Sequence, residues 1–337
     1  MRGGRGVLAS VICFPFLMAA GGSRADGALA GAEFLNFPLS VRQSGMGETA
    51  AGGTDLMRAW SNPALLADGE AELEAAASGG SRQSGLHSGG GLGIGYRPFP
   101  TLSIGALVTR WSVSTEEVDR LALATGSSLG QTVQAISIPV AFSSGAVRVG
   151  LGIKYIAEEL LGDHAAAAAA DAGARLDWGT LSASASLRNL GMSLRQPGGI
   201  AGMSESMPLE MRGGLSWIHE SLHLTGALEL VRPRGLPMSL GAGVEWWPIP
   251  LAGVRAGVVR PTAAADRQLG GGLSLAWRGL GLDYAIGSQP GGTMHLVALS
   301  WLKVRPAREP GEGRNEGVLE GPVPVAPSPA PRSAPPD

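Results

Sequence analysis

Acidic and basic side chains recur at alternate positions in the second half of the chain, and they are the residues best suited to polar chemistry. In residues 209–217, Glu210 and Arg212 share one side of an extended chain, while the apolar Leu209 and Met211 share the other. The charged residues with this placement are Glu210, Arg212, Glu229, Glu245, Arg255 and Asp283. Because their signs are mixed, neighbouring strands can pair them. If the strands close into a membrane barrel, this side lines the lumen. The charged residues there form either a gate or docking surface for another segment, or a solvated, salt-bridged lining with no specific task.

Spacings typical of catalysis or metal binding are weak. Residues 126–130 spell the Gly-x-Ser-x-Gly nucleophile motif, but that motif requires a strand–turn–helix setting, and these residues lie in a Ser/Gly-rich stretch. The 5 histidines are scattered without metal-ligand spacing. A net charge of -2 is unfavourable for nucleic-acid binding. We therefore predict a protein that is not an enzyme, holds no cofactor or metal ion and binds no nucleic acid.

The charged positions belong to a unit that repeats between residues 71 and 303. Each unit has about ten residues that alternate apolar with small or polar side chains, and roughly fourteen units are present, each long enough for a tilted transmembrane β-strand. Short breaks at residues 98–100, 143–145, 178–179, 219–220, 248–250 and 278–279 take turns with longer ones. The longer breaks are residues 81–89, 112–131, 158–164, 191–207, 232–235, 261–266 and 287–292. Short periplasmic turns and longer external loops on an antiparallel up-and-down barrel produce this alternation.

Tryptophan placement favours a membrane barrel over a soluble β-sandwich, since strand alternation fits both folds. The chain has 8 tryptophans, and six of them lie at strand ends beside the short breaks. These six are Trp178, Trp217, Trp246, Trp247, Trp277 and Trp301. An aromatic girdle at one membrane interface is typical of transmembrane barrels. We therefore predict an all-β fold, a 14-stranded antiparallel up-and-down transmembrane β-barrel, located in the bacterial outer membrane.

The two ends of the chain differ from this pattern. Residues 1–25 are predicted to be a signal peptide, with Arg2 and Arg5 before an apolar stretch and Ser23-Arg24-Ala25 as the cleavage site. Cys13, the single cysteine, lies within this peptide. Residues 304–337 are rich in proline and are predicted to be a disordered tail. This leaves residues 26–70 as an N-terminal plug or hatch segment and residues 71–303 as the barrel.

The plug segment carries a motif series that can be compared with a known family. Its residues are Arg42, Gly45, Met46, Gly47, Asp55, Asn62, Pro63 and Ala64, preceded by Phe34-Leu35. The series resembles the N-terminus of the PorV/PorQ family of outer-membrane barrels, which is related to the FadL-type hydrophobic-compound channels. Residues 188–191, 208–215, 243–246, 254–257 and 282–285 continue the resemblance in the same order, so that it covers about residues 33–303. Glu48 and Leu65 depart from the family pattern, which usually has glycine at these places.

The resemblance implies a plugged outer-membrane barrel and leaves two functions open. One is passive transport of small hydrophobic compounds, in which Phe34, Leu35, Phe37, Met46 and Trp60 either line the route or only anchor the plug in the barrel wall. The other is a non-enzymatic docking or shuttle component of a protein secretion system of the type IX kind. The expected partners are outer-membrane lipid together with either a small hydrophobic ligand or a secretion-system protein.

Glycines on the charged side of the strands predict where the plug contacts the wall. They are Gly241, Gly243, Gly253, Gly257, Gly270, Gly272 and Gly281. A missing side chain lets another chain approach the backbone closely. We therefore expect the plug to pack against these glycines, with Arg42, Asp55 and Arg58 as partners for the charged residues.

Overall fold

A computed structural model describes residues 33–69, 71–82, 87–113, 131–160, 163–191, 193–195, 204–262, 267–289 and 292–304. The predicted signal peptide at residues 1–25 and residues 305–337 of the predicted tail lie outside the described residues.

The described chain forms a closed β-barrel of fourteen long strands. The first seven are β1 (Leu73–Arg82), β2 (His87–Phe99), β3 (Leu102–Val113), β4 (Gln131–Ser144), β5 (Val147–Leu160), β6 (Asp163–Trp178) and β7 (Leu181–Gly191). The short strands β8 (Leu194–Arg195) and β9 (Ser204–Glu205) pair with each other, and β8 also pairs with β6. The remaining long strands are β10 (Glu210–His219), β11 (Leu224–Pro233), β12 (Ser239–Ile249), β13 (Ala252–Pro261), β14 (Gln268–Trp277), β15 (Leu280–Gln289) and β16 (Gly292–Lys303).

Pairing between chain neighbours and between the two terminal strands closes the sheet. β7 pairs with β10 across the β8–β9 excursion, and β1 pairs with β16, with Leu73 opposite Lys303. Every pairing is antiparallel. The predicted fourteen-stranded antiparallel barrel is confirmed, and no long strand is left with an unpaired edge.

The two faces of the barrel wall have opposite polarity. In β5, Leu151 and Ile153 are 68% and 65% exposed, whereas Lys154 is 2% exposed. The same alternation of exposed apolar and buried polar residues runs through most of the other strands. A soluble protein buries its apolar side chains, so this wall is suited to apolar surroundings outside and a polar interior. Within the described residues, no helix is long and apolar enough to span a bilayer.

Tight hairpins join the strands at one end of the barrel, which we call the short-turn end; the opposite end is the long-loop end. Between β14 and β15, Arg278 and Gly279 both have positive φ, of 49° and 82°. This is the conformation of a type I′ hairpin, whose twist matches that of the strands it connects.

Residues 33–69 form short helical turns rather than strands. They comprise 3₁₀ turns at Glu33–Asn36, Leu56–Trp60 and Pro63–Asp68, and one α-helical turn, α1, at Val41–Gly45. Ser40 caps α1 by accepting a hydrogen bond from the backbone N–H of Gln43, and Asn62 caps the last 3₁₀ turn in the same way from Ala64. Phe34, Leu35, Leu39 and Trp60 are buried in one apolar cluster with wall residues of β3–β6.

Candidate functional site

The six predicted charged residues are buried and form two groups of ion pairs. The first group is Glu210, Arg212 and Glu229 on β10 and β11, and the second is Glu245, Arg255 and Asp283 on β12, β13 and β15. Arg212 donates to Glu210 at 2.6 Å and to Glu229 at 3.1 Å. Arg255 lies 3.4 Å from a Glu245 oxygen and donates to Asp283 at 2.7 Å. Charges removed from water are costly unless they are paired, and these are paired.

Arg42 of the N-terminal segment completes the second group. Its guanidinium forms a two-point contact with the Glu245 carboxylate, including Nε donating at 3.0 Å. Burial lowers the pKa of Arg42, but the carboxylates around it, Glu245 first and then Asp283 and Asp55, together outweigh this effect, so that the pKa is raised and the side chain stays charged. Trp247 donates to Glu245 at 2.7 Å, and its ring lies 5.4 Å from the Arg42 guanidinium carbon.

The first group holds the segment by its backbone. Glu229 accepts hydrogen bonds from the N–H groups of Ala50 at 2.5 Å and Ala51 at 3.1 Å. Arg212 donates to the carbonyl oxygen of Glu48 at 3.3 Å. The charged residues of β10–β13 therefore contact residues 42–51 directly.

Among the described residues, Asp55 and Arg58 form no hydrogen bond or ion pair with the six predicted wall charges. Asp55 accepts from the hydroxyl of Ser40 at 2.9 Å, and Arg58 donates to the carbonyl of Ala50 at 2.9 Å and contacts Asp68 at 3.3 Å. Both residues stabilise the fold of the segment, and Arg42 is the member of the predicted trio that reaches the wall charges.

Four of the seven predicted glycines contact the segment backbone. A Cβ atom on Gly243 would lie 2.2 Å from the Met46 carbonyl oxygen, and one on Gly257 would lie 2.0 Å from the Gly47 nitrogen. A Cβ atom on Gly241 would lie 2.3 Å from the Gly47 carbonyl oxygen, and one on Gly270 would lie 3.0 Å from the Ser44 carbonyl oxygen. The other three glycines face wall residues instead, namely the Trp247 ring for Gly253, Arg255 and Tyr284 for Gly272, and Ser300 for Gly281.

The remaining motif residues are positioned by the same close approach. Gly47 has a φ of +66°, and a Cβ there would lie 2.5 Å from the Ala242 carbonyl oxygen. At Gly45 a Cβ would lie 2.8 Å from Arg255 Cδ. Asn62 donates to the wall carbonyls of Ala174 and Ala185, at 3.4 and 3.3 Å. Pro63 and Ala64 pack on Gly150, where a Cβ would be 2.4 Å from the Ala64 nitrogen.

Glu48, one of the departures from the family pattern, has a φ of 59°, which glycine adopts without strain. Glu48→Gly and Glu48→Ala both remove the carboxylate, which lies 3.8 Å from the buried Arg82. Only Glu48→Gly also removes the backbone strain, so it is expected to be more stable than Glu48→Ala by about 0.5–1 kcal/mol. The midpoint of the heat-induced gel mobility shift should therefore be higher for Glu48→Gly than for Glu48→Ala. An equal or lower midpoint for Glu48→Gly would contradict a strained backbone at this position.

Five of the six predicted girdle tryptophans are exposed at the short-turn end. Their exposed fractions range from 40% for Trp217 to 59% for Trp277, and the other three are Trp178, Trp246 and Trp301. Trp247 does not fit the predicted girdle. It follows the outward Trp246 along the strand, so it points to the interior, where it contacts Glu245 and Arg42.

Sequence reasoning missed a third charged group, on β5–β7 and β10. Lys154 lies 2.8 Å from Asp171 and donates to Asn189 at 3.0 Å. Arg188 contacts Glu210 at 2.5 Å and donates to the carbonyl of Leu35 at 2.7 Å. The alternation that revealed the first six residues extends to Lys154 and Arg188, but Asp171 is hidden in an alanine-rich run whose two faces look alike.

Near the short-turn end, Asp68 of the segment is surrounded by arginines. It lies 3.2 Å from Arg148, 3.3 Å from Arg175 and 3.3 Å from Arg58. Wall charges therefore hold the segment near its end as well as near α1.

At the long-loop end of β3–β6 the polarity of the wall is reversed. Outward positions beyond Val108, Ile136 and Tyr155 are mostly polar and include Arg110, Ser112, Thr132, Gln134, Glu159 and His164. The inward residues at this level are mainly apolar and buried, with Glu158 as a charged member, and we call them the apolar inner face. They are Trp111, Val133, Ala135, Ile156, Ala165 and Ala167.

These features define a closed fourteen-stranded antiparallel β-barrel with an apolar outer surface, the organisation of outer-membrane barrels. The described residues contain no cluster of His, Cys, Asp and Glu suited to a metal ion.

Solved bacterial transporters share this fold. The chain is similar to the toluene transporter TbuX of Ralstonia pickettii, with a TM-score of 0.54 and 13% identity over 78% of this chain and 98% of that one. It is also similar to the toluene transporter TodX of Pseudomonas putida, with a TM-score of 0.55 and 11% identity over 77% and 96% of the two chains. No family model and no curated protein matches the chain. At these identities the likeness establishes the fold.

Proposed function

We propose that this chain is a bacterial outer-membrane barrel that passes small hydrophobic compounds through a lumen plugged by residues 26–70. The observation that carries the proposal is the apolar inner face at the long-loop end. A pore for hydrophilic solutes is lined by polar groups, whereas the inward residues at this end include Trp111, Val133 and Ile156, which are buried in one apolar cluster with the N-terminal segment. In the proposed orientation the short turns are periplasmic, and the apolar inner face receives compounds from outside the cell.

The N-terminal segment continues the apolar surface inward. Phe34, Leu35 and Trp60 belong to the same buried cluster as the apolar inner face. Met46, a fourth residue of the predicted route, lies on the other side among the contacts of α1 with β12 and β13. We propose that Phe34, Leu35, Phe37 and Trp60 line the route and that Met46 anchors the plug. The fold shared with the toluene transporters supports a route of this kind.

Uptake of labelled toluene by a bacterial host that lacks its own channels for such compounds tests the proposal. Cells that produce the protein are expected to take up toluene several-fold faster than cells with an empty vector, with no matching gain for a small sugar. Equal gains for both solutes would indicate an unselective pore, and no gain for either would contradict transport.

A matched pair of variants tests the apolar inner face itself. Val133→Asn places an amide on the apolar inner face, and it is expected to lower toluene uptake several-fold because a route for apolar solutes then crosses a hydrated group. Thr132→Asn, on the outward side of the same strand, changes a position that is already polar and should leave uptake unchanged. Equal uptake by both variants would contradict a route along this face.

Docking of a protein in a type IX-like secretion system is the second candidate, and the ordered resemblance to PorV/PorQ favours it. Its partner would meet the loops or the tail rather than the lumen. Deleting residues 305–337 tests the tail. If secretion or partner recovery is unchanged, the tail is not the docking element.

A further inference from the structure

Arg82 is a buried cation whose charge is incompletely matched. It is 1% exposed and lies at the long-loop end of β1. The nearest carboxylate oxygen among the described residues, on Glu48, is 3.8 Å away, beyond hydrogen-bond distance. The guanidinium donates to the Ser44 hydroxyl at 3.2 Å and to the Pro38 carbonyl at 3.4 Å, and its buried Nε has no partner among the described residues.

Two further buried nitrogens without a partner in the described part of the chain lie around the same point. They are Nδ1 of His87, which is paired with Arg82 across β1 and β2, and Nε1 of Trp111 on β3. Buried polar groups in native proteins are almost always hydrogen-bonded. The Arg82 and Trp111 nitrogens can only donate, so they indicate a missing acceptor, while the role of His87 Nδ1 depends on the tautomer of the ring. Since one of them belongs to a guanidinium, the acceptor that matches best is an anion.

A phenyl ring occupies the centre of this group. The Phe37 ring lies 5.1 Å from the Arg82 guanidinium carbon, 5.1 Å from the His87 ring centre and 5.4 Å from that of Trp111. Phe37 belongs to the N-terminal segment and is partly exposed, while Arg82 and Trp111 are fully buried parts of the wall. The wall thus forms a place for an aromatic ring beside a cation whose nearest carboxylate is 3.8 Å away, and a residue of the segment fills the ring position.

We propose that Arg82, His87 and Trp111 form a binding site for a small aromatic acid, whose ring takes the place of Phe37 and whose carboxylate pairs with Arg82. The inference narrows the ligand class of the proposed route and therefore rests on the proposed function. It adds that the N-terminal segment competes with the ligand, because Phe37 has to leave for the ring to enter.

Binding of benzoate, toluene and benzamide to the purified, detergent-solubilised Phe37→Ala variant tests the site. Toluene corresponds to the whole phenylalanine side chain, benzoate carries a carboxylate on the same ring, and benzamide is the neutral counterpart of benzoate. We expect benzoate to bind Phe37→Ala at least tenfold more tightly than the other two, since a charge-assisted pair is added. The wild-type protein should bind benzoate more weakly than Phe37→Ala, because it has to displace its own ring.

The double variant Phe37→Ala/Arg82→Gln should lose the preference for benzoate while it still binds toluene. Phe37→Ala/Arg110→Gln is the matched control, since Arg110 lies on the outward side next to Trp111, and the preference should remain. Benzoate binding no tighter than benzamide in folded Phe37→Ala would overturn the proposal even if the Arg82 variant does not fold. A preference that survives Arg82→Gln would also overturn it. Toluene uptake without any benzoate preference would reject this site and leave the proposed function standing.

Discussion

Replacing Gly257 by valine is expected to displace the N-terminal segment from the barrel while the fourteen strands still close. A Cβ at this position would lie 2.0 Å from the Gly47 nitrogen and 2.3 Å from the Met46 carbonyl carbon. These are backbone atoms, which cannot rotate out of the way as the end of a side chain can. The contacts of residues 42–47 with β12–β14 should therefore be lost together. The cost should exceed the 1–3 kcal/mol that is usual when about one or two methyl groups are added to a packed core.

Limited proteolysis and single-channel conductance measure the displacement. In Gly257→Val, residues 33–69 should become cleavable, and conductance across a planar bilayer should rise. Gly271→Val is the matched control, because Gly271 is on the neighbouring strand and the nearest atom to its Cβ position is at 3.5 Å. The barrel is checked by heat-modifiable migration on gels. A protected segment in Gly257→Val would mean that the approach of residues 46–47 to β13 is not what holds it.

Removing the Glu245 carboxylate is expected to have the second largest effect. Glu245 neutralises both Arg42 of the segment and Arg255 of the wall, and its side chain is 4% exposed. Glu245→Gln keeps the shape and leaves two guanidinium groups with one fewer carboxylate, and the loss of one partner of a buried ion pair costs about 3–5 kcal/mol. Arg255 retains Asp283 at 2.7 Å, so the loss should fall mainly on the docking of Arg42.

A double-mutant cycle separates the pair from the general cost of the substitution. Arg42→Met in the Glu245→Gln background should restore part of the lost stability, because the unpaired cation is removed with its partner. The midpoint of the heat-induced mobility shift is the measurement. Glu159→Gln, on the exposed outward side of β5, is the control and should change little. Additive losses in the double variant would contradict an ion pair between the N-terminal segment and the wall.

Much of the wall was predictable because a strand repeats its chemistry every two residues. Alternation placed Glu210, Arg212 and Glu245 on one side, and breaks of two lengths predicted fourteen strands and their order. The same rule fails where both faces carry similar side chains, as in the alanine run around Asp171. It also fails beside a turn, where Trp246 and Trp247 look alike in sequence and only one of them faces outward.

The N-terminal segment was predictable in part. Glycines on the charged side of the wall strands predicted that another backbone approaches there, and Gly47 contacts β12 and β13 in this way. The sequence did not predict which charged residues form ion pairs, since ion pairing depends on distances across the lumen. Arg42 reaches Glu245 over a separation of 203 residues, while Arg58 pairs within the segment.

The sequence by itself determined the antiparallel wall, because strand alternation and break length are local properties of the chain, and most strands pair with their neighbours in sequence. Only the tertiary structure decided where polarity reverses and where charges remain unmatched. Folding brings Phe37 of the N-terminal segment next to Arg82, His87 and Trp111, which lie on three different strands. Whether a buried nitrogen finds an acceptor depends on every element packed around it, and that packing exists only after the barrel has closed around the segment.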